Sequence, residues 1–189
     1  MSEEKSIRYD NVVATLIGLL AICVAGYTAY IQRQQVRAQV WPVLEFYTSN
    51  EPEIQVSLAN KGVGPALIRH VIITVDGKPA ANWNEAVKLL LGPGHYSFSQ
   101  DTISSRIVSA GERLNVFSPH EYRTTKGLTP GPDGSLGALF NVAVLRIGTE
   151  ICYCSTLGDC WTLISRVSEP PFVEETRRCP KKSATTFQQ

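Results

Sequence analysis

One uninterrupted apolar segment constrains this chain more than any other feature of its sequence. Residues 12–31 read VVATLIGLLAICVAGYTAYI and contain no charged side chain. A helix rises about 1.5 Å per residue, so a segment of this length spans about 30 Å, the hydrocarbon thickness of a bilayer. We therefore predict one transmembrane helix over 12–31, between a polar tail (1–11) and a helical juxtamembrane linker (32–40). The lipid bilayer is the first partner that the sequence implies.

Two kinds of cleaved leader compete with a retained anchor. Val24-Ala25-Gly26 has the small residues that a signal peptidase prefers, but Lys5 and Arg8 are offset by nearby acidic residues. The apolar segment is also longer than the core of a typical cleaved signal. A lipoprotein signal ending at Cys23 is rejected, because Ile22 stands where a small residue is needed. The anchor is the favoured interpretation.

A stripe of small residues runs along one face of the predicted helix. Residues with a spacing of four, three, four and three lie on the same face, and small side chains let a second helix approach closely. This pattern makes the stripe a candidate helix-contact surface, although small residues are also common in membrane helices without such a role. Its members are Ala14, Gly18, Ala21, Ala25 and Thr28.

Residues 41–176 have the pattern of an antiparallel β domain. Apolar and polar residues alternate over 54–59, and 66–75 is apolar on both faces, as expected of a central strand. Asp76-Gly77 then predicts a tight turn. Residues 82–91 have a capping box and helical apolar spacing, which predict one short amphipathic helix. We expect about eight strands in a sandwich or barrel, a long exposed loop over 118–135 and a basic flexible tail over 177–189.

Two segments carry a resemblance to a known class of protein. Residues 58–66 (LANKGVGPA) resemble the turn that joins two early strands in immunoglobulin-like bacterial domains. The layout of an anchor, this turn and a late Cys-x-Cys…Cys-Trp segment is similar to that of uncharacterised bacterial single-pass membrane proteins. The resemblance implies an immunoglobulin-like β-sandwich that is anchored to a bacterial inner (plasma) membrane by one helix. It implies no activity.

Four of the five cysteines lie in the C-terminal quarter of the chain. Cys154 and Cys160 flank a short turn and are candidates for a bond across a hairpin, which leaves Cys152 for Cys179. Same-face neighbours on a strand lie too far apart for a comfortable bond, which argues against Cys152–Cys154. Free buried thiols or a zinc site with a histidine remain alternatives, but the spacing is not Cys-x2-Cys. The fifth cysteine, Cys23, is expected to pack in the membrane.

The direction of the anchor follows from these cysteines and not from its flanking charges. Lys5 and Arg8 precede the apolar segment and Arg33 and Arg37 follow it, so the positive-inside rule gives a tie. Disulfides form in oxidising compartments. They would place the C-terminal domain outside the cytoplasm, which predicts a periplasmic β domain.

No catalytic motif is recognisable, and the formal net charge of +1 argues against nucleic-acid binding. We assign no catalytic, cofactor-binding or metal-binding residues and expect no cofactor. The sequence favours a non-catalytic interaction or assembly module that binds a protein partner or self-associates. The alternative is a metal-dependent Cys/His module or a thiol-redox module in the C-terminal quarter, with His70, His95 and His120 as possible ligands.

Overall fold

The computed structural model describes residues 2–49, 55–123, 143–166, 170–181 and 186–188, with backbone alone for 2–10, 95 and 119–123. It divides into two units, Met1–Gln39 and Val40–Gln189. The first unit contains helix α1 (Ser2–Gln39). Its segment Asn11–Gln39 is 29 residues long with a mean hydropathy of 2.2 in its most apolar window, and none of that window is buried. Among the described residues, α1 is the one helix long and apolar enough to cross a membrane.

The second unit is mainly β, with every strand pair antiparallel. A four-stranded sheet has the order β1-β2-β7-β5, and a six-stranded sheet has the order β10-β9-β8-β3-β4, with β6 also paired to β3. The predicted β class and the two predicted helices are confirmed. The strands are β1 (Leu44–Ser49), β2 (Gln55–Asn60), β3 (Ala66–Val75), β4 (Lys78–Ala80), β5 (His95–Ser99), β6 (Ile107–Val108), β7 (Arg113–Arg123), β8 (Ile147–Cys154), β9 (Cys160–Ser165) and β10 (Phe172–Thr176).

Three local expectations differ from the structure. Residues 118–123 belong to β7, which continues to Arg123 in register with β5, and not to the loop expected over 118–135. The rest of that expected loop, 124–135, lies outside the described residues. The sequence also predicts a strand over 140–147, but Val144–Arg146 form a 3-10 turn and β8 begins at Ile147. β4 and β10 were not expected, because their few residues carry no alternation that separates them from loops.

Two turn predictions are realised in atomic detail. Asp76 and Gly77 have φ of 51° and 78°, the pair of positive values that a two-residue hairpin turn requires. Helix α2 (Trp83–Leu91) is capped by Asn82, whose side-chain oxygen accepts a hydrogen bond from the Glu85 amide at 3.0 Å. The Glu85 carboxylate in turn accepts from the Ala81 amide at 2.7 Å. The hairpin turn and the helix cap therefore both form from residues that are close in the sequence.

One apolar core lies between the sheets and α2 and is centred on aromatic rings. Trp83 is 1% exposed, with its ring centroid 4.9 Å from that of Phe117 and 5.4 Å from that of Phe187. Phe187 is fully buried although it lies in the predicted tail. Within the described part of 177–189, Thr186 and Phe187 are thus built into the fold, whereas Arg177, Arg178 and Lys181 are exposed.

The C-terminal segment fills a gap in the edge of the six-stranded sheet. β6 pairs with the beginning of β3 and β4 pairs with its end, which leaves the middle of that edge without a strand partner. There the Phe187 amide donates to the Val71 carbonyl at 2.8 Å, and the Gln188 amide donates to Ala81 at 2.7 Å. The Ser104 hydroxyl donates to the Phe187 carbonyl at 2.9 Å. The segment therefore satisfies backbone groups that the gap would leave open.

Asn60 is a fully buried junction at the end of β2. Its side-chain oxygen accepts hydrogen bonds from the amides of Val43 (3.2 Å) and Gly62 (3.0 Å). Its side-chain nitrogen donates to the carbonyls of Gly64 (2.8 Å) and Val108 (3.0 Å). An amide offers two donors and two lone pairs, so every hydrogen-bonding position of this side chain is used.

The glycines after Asn60 let the chain approach the entry segment Val40–Val43. A Cβ at Gly64 would lie 2.1 Å from the Val40 carbonyl oxygen, and one at Gly62 would lie 2.4 Å from that of Trp41. These contacts involve backbone, which cannot move aside easily. The turn over 60–65 therefore needs glycine for space, at the point where the chain enters the β unit.

We expect Asn60→Asp to destabilise the β unit by at least about 3 kcal/mol, because the carboxylate offers no donor to the buried Gly64 and Val108 carbonyls. Urea unfolding of the detergent-solubilised chain, followed by tryptophan fluorescence, measures the effect. Asn82→Asp is the matched control and should stay within about 0.5 kcal/mol, because aspartate caps helices as well as asparagine. Equal losses in the two variants would contradict the role assigned to Asn60.

Candidate functional site

The C-terminal cysteines form the chemically most distinctive cluster of the described residues. The sulfur atoms of Cys152 and Cys179 are 2.08 Å apart and those of Cys154 and Cys160 are 2.07 Å apart, which fits two disulfide bonds. These are the two pairs that the hairpin argument favours. The first pair joins β8 to the segment after β10, and the second closes the hairpin between β8 and β9.

The register of the sheet explains why these sulfurs meet. Cys152 and Cys154 alternate along β8 with the core residues Ile151 and Tyr153, so both cysteine side chains lie on the face turned away from the core. Cys154 is directly opposite Cys160 across the hairpin. Because a strand repeats its face every two residues, the two disulfides are side by side on that outer face.

The two disulfides touch each other. The sulfur of Cys154 lies 3.7 Å from that of Cys179, which belongs to the other disulfide. Neither sulfur carries a hydrogen while both are bonded, so this separation is a van der Waals contact. The sulfurs of Cys154, Cys160 and Cys179 all lie within 4.8 Å of one another. These three side chains could hold a metal ion only in a reduced protein, since thiolates and not disulfides bind zinc.

His70 is the histidine that the structure brings to this cluster. It is 3% exposed and lies directly opposite Cys152 in the register of β3 and β8. Its Nδ1 is 3.5 Å from the hydroxyl of Thr186 in the C-terminal segment. The side chains of the other two candidate ligands, His95 and His120, lie outside the described residues.

Tyr153 separates the two cysteines of β8 and supports the strand from the core side. Its hydroxyl accepts a hydrogen bond from the Leu44 amide at 3.5 Å, and its ring centroid is 6.0 Å from that of Trp161. Burial raises the pKa of the Tyr153 phenol, so the group is neutral at physiological pH. The core side of β8 next to the cluster is therefore covered by uncharged aromatic side chains, Tyr153 and Trp161.

The other strong electrostatic feature lies at the opposite end of β8. The Arg146 guanidinium donates to both carboxylate oxygens of Asp76, with Nε 2.9 Å from Oδ1. These hydrogen bonds hold the pKa of Asp76 below its ordinary value of 3.8. Arg146 also donates to the Leu90 carbonyl at 3.1 Å. Its partners thus tie the β3–β4 turn to the end of α2, which is a structural role.

Two open cavities accompany these features. One, of about 430 Å³, lies on the outer face of the six-stranded sheet and is lined by Ile72, Thr74, Glu150 and Ile164 among others. The other, of about 310 Å³, lies beside the C-terminal segment between His70, Ser104 and Thr186. The second cavity holds a hydroxyl beside an imidazole, Thr186 and His70, but both residues are buried (5% and 3% exposed).

The five helix-contact candidates lie on α1, on the exposed surface of the helix. At 100° per residue, Ala14, Gly18, Ala21, Ala25 and Thr28 span an arc of about 80°. The Thr28 hydroxyl donates to the Val24 carbonyl at 2.8 Å, which removes a polar group from the stripe. A Cβ at Gly18 would meet nothing within 4 Å. The stripe is therefore flat and open, and its role as a contact surface stays a prediction.

Comparison with protein-family models, curated proteins and solved structures gives no match to this chain.

The sequence does not predict which residues surround the cysteine cluster. His70 and Thr186 are separated by 116 positions and Cys152 faces His70 only through strand register. No local pattern indicates either contact.

We expect the two disulfides to stabilise the fold unequally. Closing the chain over 27 residues (Cys152–Cys179) should contribute about 3.5 kcal/mol of loop entropy, against about 2 kcal/mol for the 6-residue separation of Cys154–Cys160. Non-reducing urea unfolding of the paired alanine variants measures both values. The wild-type chain with reductant provides the fully opened control. A larger loss for the Cys154–Cys160 pair would contradict the attachment of the C-terminal segment through Cys179.

Proposed function

We propose that this protein is a single-pass membrane-anchored interaction module, whose β unit binds a protein partner and performs no catalysis. The observation that carries the proposal is the combination of an exposed helix of membrane-spanning length with a separate β unit that has its own core. Removing such a helix from water is favourable only in a bilayer or against another apolar surface. Its role is therefore to localise the β unit.

We further propose that the β unit is immunoglobulin-like and lies outside the cytoplasm of a bacterial inner membrane. Two antiparallel sheets that share one core support the first part. Two pairs of cysteines at bonding distance support the second, because disulfides persist in oxidising compartments. The bacterial setting rests on the sequence resemblance.

The edge strand β10 is the surface that we propose for partner binding. Within the described residues it pairs with β9 alone, so its other edge offers backbone donors and acceptors to an added strand. Phe172 and Val173 are 36% and 43% exposed, and Glu174 and Glu175 are exposed beside them. An extended segment with basic side chains complements this edge.

A second copy of β10 is a poorer partner for the same edge. In a two-fold antiparallel pairing centred on the strand, Glu174 would lie opposite its own copy, and like charges directly opposite are destabilising. The charge pattern therefore favours a different chain over self-association through β10.

We expect the chain to remain in the membrane pellet after alkaline carbonate extraction. Leu16→Arg with Leu20→Arg should release it, since each arginine near a helix centre costs about 2.5–3.5 kcal/mol on insertion. Leu157→Arg is the matched control, because Leu157 is an exposed leucine of the β unit and its change should leave the pellet unchanged.

The same preparation tests the side of the membrane. Protease added outside the inner membrane should digest an epitope tag after residue 189 and leave a tag before residue 1 intact. Release of the wild-type chain by carbonate, or protection of the C-terminal tag, would contradict the proposal.

A photo-crosslinking amino acid at Val173 should join the β unit to another protein in intact membranes, because an added strand would lie within reach of this side chain. The same probe at Leu157, on the β8–β9 turn, is the control and should give no adduct. Glu174→Lys with Glu175→Lys should abolish the Val173 adduct without lowering stability, since both side chains are exposed. Equal adducts at both positions, or an adduct that survives the charge reversal, would contradict β10 as the binding edge.

A further inference from the structure

The sulfur atoms of the four C-terminal cysteines are connected in succession by a bond, a contact and a second bond. Cys152 is bonded to Cys179, Cys179 touches Cys154 at 3.7 Å, and Cys154 is bonded to Cys160. Thiol–disulfide exchange proceeds when a thiolate attacks one sulfur of a disulfide and displaces the other. Each disulfide here therefore has a potential attacking sulfur of the other beside it.

The distance to an alternative bond is short. A disulfide needs its sulfurs about 2.05 Å apart, so Cys154 and Cys179 must approach by about 1.7 Å to bond. Rotation about the cysteine side-chain torsions moves a sulfur by this amount without moving the backbone. The Cys154–Cys179 bond is thus an accessible isomer of the cluster.

We propose that these four cysteines form a thiol–disulfide exchange site that accepts an external thiol at Cys160 and passes the free thiol to Cys152. The external thiolate bonds to the Cys160 sulfur, and the Cys154–Cys160 bond breaks to release Cys154 as a thiolate. That thiolate bonds to the Cys179 sulfur, and the Cys152–Cys179 bond breaks. The proton lost by the external thiol is taken up at Cys152. One mixed disulfide and one protein thiol replace one thiol and one disulfide, so atoms and electrons balance.

The burial of the four cysteines fits this direction. Cys152 is fully buried, Cys154 and Cys160 are each 7% exposed, and Cys179 is the most exposed of the four. The sulfur that exchange releases is therefore the one that external reagents reach least. His70 lies directly opposite Cys152 in the register of β3 and β8.

The exchange would keep the C-terminal segment attached to the sheet. Before exchange Cys179 is held by Cys152, and after it by Cys154, two residues further along β8. The segment that ends in the buried Phe187 is fastened in both isomers. A thiol could therefore react with the cluster without releasing this part of the fold.

Two single-cysteine substitutions in the full-length chain test the proposal. Each is made in a Cys23→Ala background, so that every thiol belongs to the cluster. Cys160→Ser leaves Cys154 without its partner and beside the intact Cys152–Cys179 bond. Cys152→Ser leaves Cys179 without its partner and beside the intact Cys154–Cys160 bond. The oxidised proteins are held at pH 8, quenched in acid, unfolded and alkylated, and the labelled cysteines are mapped by mass spectrometry.

In Cys160→Ser we expect label on both Cys152 and Cys154, with at least about a tenth on the less populated one. In Cys152→Ser we expect label on both Cys179 and Cys160. The double variant Cys154→Ser with Cys160→Ser has no attacking sulfur and should carry no label, which controls for scrambling during work-up. Label confined to the orphaned cysteine in both single variants would overturn the proposal. If one variant does not fold, the other decides alone, since each reports the same sulfur contact from the opposite side.

Discussion

The four hydrogen bonds of the Asn60 side chain are the constraint on which the β unit depends. They join the entry segment (Val43), the turn after β2 (Gly62 and Gly64) and the strand β6 (Val108), three parts of the chain with no other common partner among the described contacts. The backbone of Asn60 extends the same junction, because its amide donates to Glu112 and its carbonyl accepts from Gly111. The two sheets are thus connected through one buried amide as well as through apolar packing. The two bonds that the side-chain nitrogen donates are buried, so losing one would leave an unsatisfied carbonyl at appreciable cost.

The second contact that organises the β unit joins Phe187 to the middle of β3, at Val71. Two different interactions hold the C-terminal segment: a disulfide at Cys179 on the outer face, and the Phe187 ring in the core. They lie on opposite sides of the sheet. Phe187 lies at the gap between β4 and β6, the two short edge partners of β3. A single long edge strand would have excluded the segment, and Trp83 would have lost one of its aromatic neighbours.

Local chemistry was predictable from the sequence and distant pairing was not. The apolar helix, the Asp76-Gly77 turn and the capped helix after Asn82 each depend on residues that are contiguous in the sequence. Their patterns can therefore be recognised without knowing the fold. The turn over 60–65 was recognised, but not its buried partner Val108, which lies 48 positions away. Cys154 and Cys160 could be paired because a hairpin is local. The contact between the two disulfides, the position of His70 and the burial of Phe187 all follow from which strands adjoin, and sheet order is a property of the whole chain.

The turn over 60–65 also determines how mechanical load would enter the β unit. The chain that leaves α1 is continuous with Val40–Val43, and the amides of Lys61, Val63 and Gly64 donate to its carbonyls at 2.7–3.3 Å. The Asn60 side chain adds a bond to the Val43 amide. A pull on α1 would therefore meet a compact group of hydrogen bonds before it reached β1. A tether of this kind would pass force to the end of β2 and protect β1 from being peeled away.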